Sequence, residues 1–507
     1  MPTLFTVLSA RHHPRAPRRQ LRSAAPRLKE PRTLLQVNLG APEAAAALVK
    51  MQKSAPKRRF LIVGAGFAGL CAAYELQGLG YDVEVYEARN RVGGRVHSLG
   101  KVIPGKVLEG GAELIGSNHP LWLRYRHHFG LKFTPVHDYA NSPVRFGSHT
   151  LSFEETRKLN VEMHAVLRHL NRVASQVKNP FEPWKTRKAR ALDARSLHSW
   201  LRKVKGTRLA KLAVAQQLIA DNGVPAECQS LLGVLAMVKG GGLQRYWDDT
   251  EVYRCEGGNQ QLAERFRAAL NLGRTRVFLR APVRTIEWSD GTAKVTVVRN
   301  RKVVVREGTD VILAVPPSVW RTIHFTDTAL RERLYESPQM GTNVKFLMRL
   351  RERFWQDYAS SPTLTDDGPV DITWETTEND QHGDFGFVAF SGATDAEKCV
   401  TWSKRSRRTK YMRALKAPYP GINHQTRAVR FMNWPQATWT RASYYFPAPN
   451  EIGRWGPFWK KGYGGWLHFA GEHTCFAFVG YMEGALQSGY RLSRRLAFRK
   501  PSPTKHP

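Results

Sequence analysis

Acidic residues are scarce in this chain. Of its 507 residues, 42 are Asp or Glu and 78 are Lys or Arg, which leaves a formal net charge of +36. Residues 1–59 contain 13 of the basic residues and two acids, so +25 belongs to the rest of the chain. A field of this sign disfavours long-range attraction of polycationic substrates. It is compatible with an anionic partner, such as nucleic acid or an acidic membrane, and with a basic surface that is only solvated.

Cysteine is also scarce. The five cysteines, at positions 71, 228, 255, 399 and 475, form no C-x-x-C pair and have no zinc-ligand spacing. This excludes a disulfide framework and predicts a reducing compartment and no metal site. Long apolar runs are absent as well, since no stretch approaches the roughly 18 residues of a membrane-spanning helix. We therefore expect no transmembrane segment.

The first ten residues lack the basic start and apolar core of a secretory signal, which favours a cytoplasmic location. The Arg-rich stretch at 11–32 leaves organellar targeting open. Residues 1–55 are predicted to be a basic, disordered extension, and residues 499–507 a tail. The length between them is typical of two to four domains, and a homodimer is compatible with it.

What the sequence does contain is a glycine-rich turn after a short apolar strand. The run from Phe60 to Val63 predicts a buried parallel strand, and Gly64, Gly66 and Gly69 follow in G-x-G-x-x-G spacing. The first glycine allows a tight turn, the second lets a pyrophosphate approach the backbone, and the third lets helix and strand pack closely. The helix that opens at Phe67 and Ala68 presents free N–H groups to a phosphate.

A second strand, Asp82 to Tyr86, ends at an acid in the expected place. Glu87 lies 23 residues after Gly64, where a carboxylate accepts hydrogen bonds from ribose hydroxyls. Strand, helix, second strand and acid together predict that residues 59–87 bind a dinucleotide. Beyond Glu87, with Ala88 between them, come Arg89 and the run Gly93-Gly94-Arg95.

That second glycine pair with its arginine resembles the fingerprint of FAD enzymes in the flavin-containing amine oxidase family, which includes monoamine oxidases and L-amino-acid oxidases. The resemblance covers about residues 58–498. It extends to the segment Gly111-Ala112-Glu113 near the flavin and to Val283, which matches a backbone contact with adenine. L-amino-acid oxidases carry a carboxylate-binding arginine just after this segment, whereas here the next arginine is Arg124. This disfavours α-amino acids as substrates.

Two positions match the residues that assist catalysis in this family. Lys345 lies in an apolar strand-like segment, Val344-Lys-Phe346-Leu347, that resembles the strand carrying a buried lysine. In the family that lysine holds a water bonded to flavin N5. Tyr481 matches one wall of an aromatic cage that orients the amine in front of the flavin.

The C-terminal segment 466–496, with Gly-Glu-His-Thr after an apolar strand, is the most specific match. By resemblance, Gly471 and Glu472 contact the ribityl chain or its phosphate neighbourhood. Met482 begins a helix whose N–H groups approach the flavin pyrimidine. Animal monoamine oxidases bond the flavin through a cysteine followed by a tyrosine in the preceding segment, where this chain has Arg441 and Ala442. We therefore expect noncovalent FAD.

The substrate pocket has no specific motif. Aromatic residues in the neighbouring segments are its candidate walls and point to aromatic or apolar monoamines: Tyr246, Trp247, Trp374, Trp439 and Tyr444.

The sequence thus predicts an α/β protein with a Rossmann-like FAD-binding domain, formed by residues 56–130, 246–330 and 436–498. An α+β substrate domain with a mixed sheet and a helical insertion would comprise residues 131–245 and 331–435. The predicted activity is FAD-dependent oxidation of a primary or secondary amine by hydride transfer to flavin N5, with O2 reoxidising the flavin to give H2O2. The alternatives are a desaturase or protoporphyrinogen-oxidase-like enzyme of the same fold, and a non-catalytic flavin protein associated with nucleic acid.

Overall fold

The computed structural model describes residues 58–136, 144–146, 149–273, 275–355, 368–377 and 379–497. The extension predicted over 1–55 and the tail predicted over 499–507 lie outside these ranges. The helices are α1 Phe67–Gly78, α2 Pro120–Phe129, α3 Phe153–Ala174, α4 Ala189–Asp193, α5 Leu197–Lys203, α6 Arg208–Asn222, α7 Leu231–Gly240, α8 Gln244–Asp249, α9 Gln260–Leu272, α10 Thr328–Tyr335, α11 Ala393–Thr401, α12 Lys404–Lys416, α13 Ile422–Gln425, α14 Glu451–Lys461 and α15 Met482–Ala497.

The strands are β1 Arg59–Val63, β2 Asp82–Tyr86, β3 Ser98–Ile103, β4 Lys106–Glu109, β5 Phe133–Pro135, β6 Arg145–Phe146, β7 His149–Thr150, β8 Tyr253–Cys255, β9 Arg276–Phe278, β10 Val283–Ser289, β11 Thr292–Arg299, β12 Lys302–Gly308, β13 Asp310–Leu313, β14 His324–Phe325, β15 Asn343–Leu350, β16 Ile372–Glu375, β17 Phe385–Gly392, β18 Thr426–Asn433 and β19 Leu467–Phe469.

A five-stranded sheet in the order β19-β13-β1-β2-β9 joins distant parts of the chain. All its strand pairs are parallel. Central β1 is buried between two neighbours, which explains why its sequence is a continuous apolar run rather than an alternating one. Helices α1 and α15 pack together against this sheet, so the first and last described helices share one core.

The predicted strand–helix–strand unit is confirmed by β1, α1 and β2. Gly69, on the first turn of α1, shows why the third glycine is needed, because a Cβ there would lie 2.0 Å from the carbonyl oxygen of Gly64. The helix therefore approaches the turn more closely than any other residue would allow. This contact aims the first turn of α1 at the carboxyl end of the sheet.

A second sheet, in the order β16-β17-β15-β18, is antiparallel and carries Lys345 on β15. A third sheet, β12-β11-β10-β14, contains the predicted hairpin. Asp290 and Gly291 connect β10 to β11 with φ values of 54° and 73°. Two positive φ angles match the twist of a two-residue hairpin, which explains the Asp-Gly signal in the sequence.

Helices α3 to α7 lie in the segment where the sequence predicts a helical insertion. Helix α3 begins at a capping box, in which Ser152 and Glu155 satisfy each other's backbone N–H groups. Helix α6 ends at Gly223 in the left-handed conformation. Between α7 and α8, residues 241–243 form a turn. No helix in the described part of the chain is long and apolar enough to cross a membrane.

Candidate active site

A large cavity lies where the parallel sheet faces strand β15. Its volume is about 1860 Å³, including the part open to solvent. The residues that follow β1, β2, β13 and β19 all line it, as expected for a ligand site at the carboxyl ends of parallel strands. Most of the predicted site residues share this wall: Gly64, Gly66, Phe67, Ala68, Glu87, Ala88, Arg89, Gly93, Gly94, Arg95, Gly111, Ala112, Glu113, Val283, Lys345, Trp374, Trp439, Tyr444, Gly471, Glu472, Tyr481 and Met482.

Three predicted residues do not line the cavity. Gly69 lies in the first turn of α1 and packs against the glycine turn that precedes the helix. Tyr246 lies behind the wall, with its hydroxyl 3.2 Å from that of Tyr481. Trp247 packs in the helical core, and its indole nitrogen donates to Asn171 at 2.9 Å. Both aromatic residues are on the short helix α8, whose buried side faces the insertion rather than the cavity. They support the site from outside it.

The glycine-rich end of the cavity fits a dinucleotide. A Cβ on Gly94, where φ is 62°, would lie 3.2 Å from the Cα of Gly66, so the two fingerprint loops touch and leave a smooth backbone cradle. Glu87 accepts hydrogen bonds from the N–H groups of Ala65 at 2.9 Å and Arg89 at 2.8 Å. These bonds fix its carboxylate in the cavity wall, at the place where the sequence predicted a ribose contact. The glycine cradle and the Glu87 carboxylate both suit the FAD that the sequence predicts.

The N-terminal arginines tie this cradle to the C-terminal half of the chain. The Arg95 guanidinium donates to Glu472 at 2.9 Å and to the carbonyl oxygen of Ser443 at 2.7 Å. Glu472 also accepts from the backbone N–H groups of Tyr445 and Gly480. An acid and an arginine from opposite ends of the sequence therefore hold the cavity together. Helix α15 begins directly after, and Met482 at its first position lines the cavity.

Lys345 lies in the opposite wall, on β15, with 6% of its surface exposed. Its ammonium group donates to Glu113 at 2.7 Å and to the carbonyl oxygen of Glu109 at 3.2 Å. The Trp374 ring lies 5.2 Å from the same nitrogen and donates its indole N–H to Glu113 at 3.0 Å. A buried charge is stable only when paired and hydrogen-bonded, and these partners provide both.

Glu113 is the centre of this cluster. Arg254 donates to it at 3.0 Å, so two cations face one carboxylate. Burial alone raises the pKa of Glu113, but the charges of Lys345 and Arg254 outweigh burial and lower it to about 2. The carboxylate is therefore ionised at neutral pH and fully engaged by the protein. Three donors, Lys345, Arg254 and Trp374, already bind it, and it orients Lys345.

Tyr444 and Tyr481 form the aromatic part of the wall. The Tyr444 ring lies next to Gly480, where an added Cβ would approach it to 3.3 Å. Tyr481 is held from behind by the Tyr246 hydroxyl and by the edge of the His119 ring. Tyr445 points away, with its hydroxyl 3.3 Å from Glu451. Of these three tyrosines, Tyr444 and Tyr481 line the cavity and Tyr445 does not.

Two acids of the wall were not predicted. Asp221 is the penultimate residue of α6, and Glu251 follows α8. Arg254 was also missed, although it pairs with Glu113. None of the three belongs to a motif, and only the docking of the insertion against the two sheets brings them to the site. No sequence signal identifies them.

Neither a metal centre nor a thiol is part of the described cavity. The residues that the structure describes contain no group of three or more His, Cys, Asp or Glu that could hold a metal ion. All five cysteines are described, and none lines the cavity. Cys475 is buried outside it, and burial raises the pKa of its thiol to about 12. A thiol with this pKa is a poor nucleophile at neutral pH.

Comparison with known proteins gives a consistent result. Residues 67–497 match the family model of flavin-containing amine oxidoreductases. The chain is 29% identical to putrescine oxidase of Kocuria rosea, over 77% of this chain and 85% of that protein. It is 27% identical to amine oxidase [flavin-containing] B of Mus musculus, over 87% and 86% of the two chains.

A solved structure of wild-type putrescine oxidase bound to putrescine superposes with a TM-score of 0.76 and 25% identity, covering 88% of this chain and all of that one. Cyclohexylamine oxidase from Brevibacterium oxydans shares the fold, with a TM-score of 0.75 and 21% identity, over 87% and 99% of the chains. The family match begins directly after Gly66 and spans Gly93-Gly94-Arg95, β15 and the C-terminal segment that line the cavity. The chain therefore belongs to the flavin-containing amine oxidoreductase family and is an FAD-dependent amine oxidase.

Proposed function

We propose that this enzyme deaminates a primary or secondary amine oxidatively, with noncovalent FAD in the cavity and O2 as the final electron acceptor. The observation that carries the proposal is the buried Lys345 ammonium, which lines the same cavity as the glycine cradle and Glu87. A dinucleotide site alone suits many oxidoreductases. A fixed positive charge in the opposite wall suits an enzyme that reduces oxygen there.

The chemistry that bound FAD supplies is acceptance of a hydride from the carbon beside the amine nitrogen and delivery of the electrons to O2 as H2O2. In this proposal Gly64, Gly66, Gly93 and Gly94 hold the diphosphate and Glu87 holds the adenosine ribose. Arg95 and Glu472 fix the segment near the ribityl chain. The N–H groups at the start of α15 supply positive potential to the pyrimidine edge.

Lys345 is proposed to hold a water in the cavity and to supply positive charge where oxygen gains electrons. A protonated lysine has three N–H donors. Glu113 and the Glu109 carbonyl oxygen accept two of them, which leaves one donor for the cavity. Because Glu113 is ionised and held by Arg254, the ammonium stays in one position. Positioning of this kind costs no reorganisation during the reaction.

Tyr444 and Tyr481 are proposed to place the amine. Their electron-rich faces attract a nitrogen that carries partial positive charge, and rigid rings hold its lone pair in one direction. Burial raises the pKa of both hydroxyls well above the ordinary value for tyrosine, so neither titrates near neutral pH. We assign both rings a positioning role and no proton transfer.

A peroxide-coupled assay of the purified yellow protein tests the proposal. Monoamines, diamines and amino acids are screened at equal concentration, with ammonia release measured in parallel. We expect one amine class to yield peroxide with an equal amount of ammonia, or of the released primary amine when the substrate is a secondary amine. We expect α-amino acids to be inactive, because the two arginines of the described wall, Arg89 and Arg95, already donate to protein acceptors. Protein with bound FAD that produces no peroxide from any amine would contradict the proposed function.

A further inference from the structure

A second cavity, lined in part by α14 and α15, has no role in the mechanism above. Its volume is about 1320 Å³, including the part open to solvent. The backbone N–H of Gly471, which lines the first cavity, donates at 2.9 Å to the hydroxyl of Ser488, which lines the second. The two cavities are therefore adjacent but distinct, and no described residue lines both.

Aromatic side chains form one part of the wall of this second cavity: Phe181, Trp184, Trp459, Phe469 and Tyr490. Trp184 packs closely on α14, where a Cβ on Gly456 would lie 2.3 Å from its ring. Trp459 is 2% exposed, and its indole N–H has no acceptor among the described residues. A buried donor without an acceptor is unfavourable. This part of the wall therefore suits a flat ring that carries acceptor atoms.

Arginines of α15 form another part of the wall. Arg491, Arg494 and Arg495 are exposed, and their spacing of i, i+3 and i+4 places them on one face of the helix. Arg494 and Arg495 also suit the negative end of the helix dipole, whereas Arg491 lies a turn earlier. Like charges at this spacing repel, so an anion bound between them would be stabilised.

Two of these guanidinium groups lack an acidic partner. Neither Arg491 nor Arg494 forms an ion pair with an acid of the described chain. Arg491 is instead placed over the ring of Phe181, 3.9 Å from its centre. A cation held in this way keeps its N–H donors available for a ligand.

Glu182 is the one acid among the described lining residues, and it is already balanced. It accepts from Lys460 on α14 and from Lys185, the latter at 2.6 Å. The positive charge of α15 also reaches the thiol of Cys475 in the same wall. Burial raises the pKa of this thiol to about 12, and Arg491 is the strongest influence in the opposite direction. The cavity thus combines aromatic surface with an excess of positive charge.

We propose that this second cavity binds a nucleoside phosphate, with the base against the aromatic wall and the phosphate at the arginines of α15. The planar fork of a guanidinium group matches phosphate oxygens in pairs. The base supplies a flat ring with acceptor nitrogens near Trp459. Inorganic phosphate offers the charge without the ring, and a nucleoside offers the ring without the charge. A nucleoside phosphate carries both.

Isothermal titration calorimetry of the FAD-loaded enzyme tests this inference, with AMP, adenosine and inorganic phosphate as probes. We expect AMP to bind at least about 10-fold more tightly than adenosine or phosphate. Arg491→Gln and Arg494→Gln should each weaken AMP binding by roughly 10-fold, because a charged hydrogen bond is lost, and leave adenosine binding unchanged. Arg405→Gln is the matched control, since Arg405 is exposed on α12 and lines neither cavity.

The free flavin in the filtrate is measured in the same titration, because AMP also resembles part of FAD. Flavin released by AMP would overturn the inference, since the nucleotide would then occupy the first cavity. Equal affinity for AMP and inorganic phosphate would indicate an adventitious ion only and would overturn it as well. So would AMP binding that neither arginine variant weakens, or no binding of AMP. None of these outcomes bears on the proposed function, because the peroxide assay contains no nucleotide.

Discussion

Among single residues, Lys345 shows best how burial turns an ordinary side chain into a functional one. An isolated ammonium group in a protein interior costs several kcal/mol, so it needs strong partners. Glu113 supplies the charge, and the Glu109 carbonyl oxygen and Trp374 ring complete the surroundings. The unfavourable burial of this ammonium group is found in the wall of a cavity. Strongly engaged ionisable groups in a cleft are typical of sites where charge develops during a reaction.

Replacing Lys345 by Met keeps the length of the side chain and removes its charge. We expect oxidation of the reduced enzyme by O2 to slow by about 10²- to 10⁴-fold, because a preorganised positive charge is lost. Stopped-flow absorbance of the flavin measures both half-reactions, and the content of bound FAD should not change. Lys398→Met is the control, since Lys398 is exposed and pairs only with Asp395 on the same helix. Equal rates for wild type and Lys345→Met would remove Lys345 from its proposed role.

The resemblance of short motifs identified Lys345 in the sequence, but nothing identified Asp221 or Glu251. A motif records residues that are near each other in the chain or fixed by a cofactor. The two acids lie at the end of α6 and after α8, and only the docking of those helices brings them together. The same limit explains Tyr246, since the sequence shows an aromatic residue but not the face of α8 that carries it.

At the scale of elements, local patterns predicted the fold well. The apolar run of β1, the glycine turn and the helix α1 are each determined by neighbouring residues, and so is the Asp290-Gly291 hairpin. Contacts between elements were not predicted. The N-terminus of α2 is an example, because its acceptor comes from α15. Glu483 accepts from the backbone N–H groups of Leu121 at 3.0 Å and Trp122 at 2.9 Å.

This contact makes stability depend on pH. Burial raises the pKa of Glu483 to about 7, although its hydrogen bonds lower it in part. The folded value is above the unfolded value of about 4.3, so the folded protein holds an extra proton between the two. The stability that Glu483 contributes is therefore complete below about pH 4 and decreases as the pH rises through 7. The size of this decrease is about 4 kcal/mol for one fully buried group.

Glu483→Gln removes the titration and keeps a similar shape. We expect the thermal midpoint of wild type to exceed that of the variant by more at pH 5 than at pH 8. Glu256→Gln, a change at an exposed acid, serves as the control, and its difference from wild type should not change with pH. A gap between wild type and Glu483→Gln that widens as the pH rises would contradict the sign of this argument.

At the scale of the whole molecule, the cavity is built from both ends of the chain. Arg89 and Arg95, near the first fingerprint, donate to groups at residues 439–443 and 472. These bonds join the N-terminal fingerprint directly to the segments that precede α15. The relatives are amine oxidases, and the desaturase and nucleic-acid alternatives therefore lose their support.

FAD that is held noncovalently, as proposed above, can be removed from the protein. None of the five cysteines lines the described cavity, and Arg441, which by resemblance takes the place of the bonding cysteine of animal monoamine oxidases, is exposed. Acid precipitation should therefore release all of the flavin into the supernatant, where its absorbance is measured. Adding FAD back to refolded protein should raise the thermal midpoint as the FAD concentration increases. A ligand at 100 times its Kd stabilises the native state by about 2.7 kcal/mol. Flavin that remains with the precipitated protein would contradict noncovalent binding, because only a covalent bond survives unfolding.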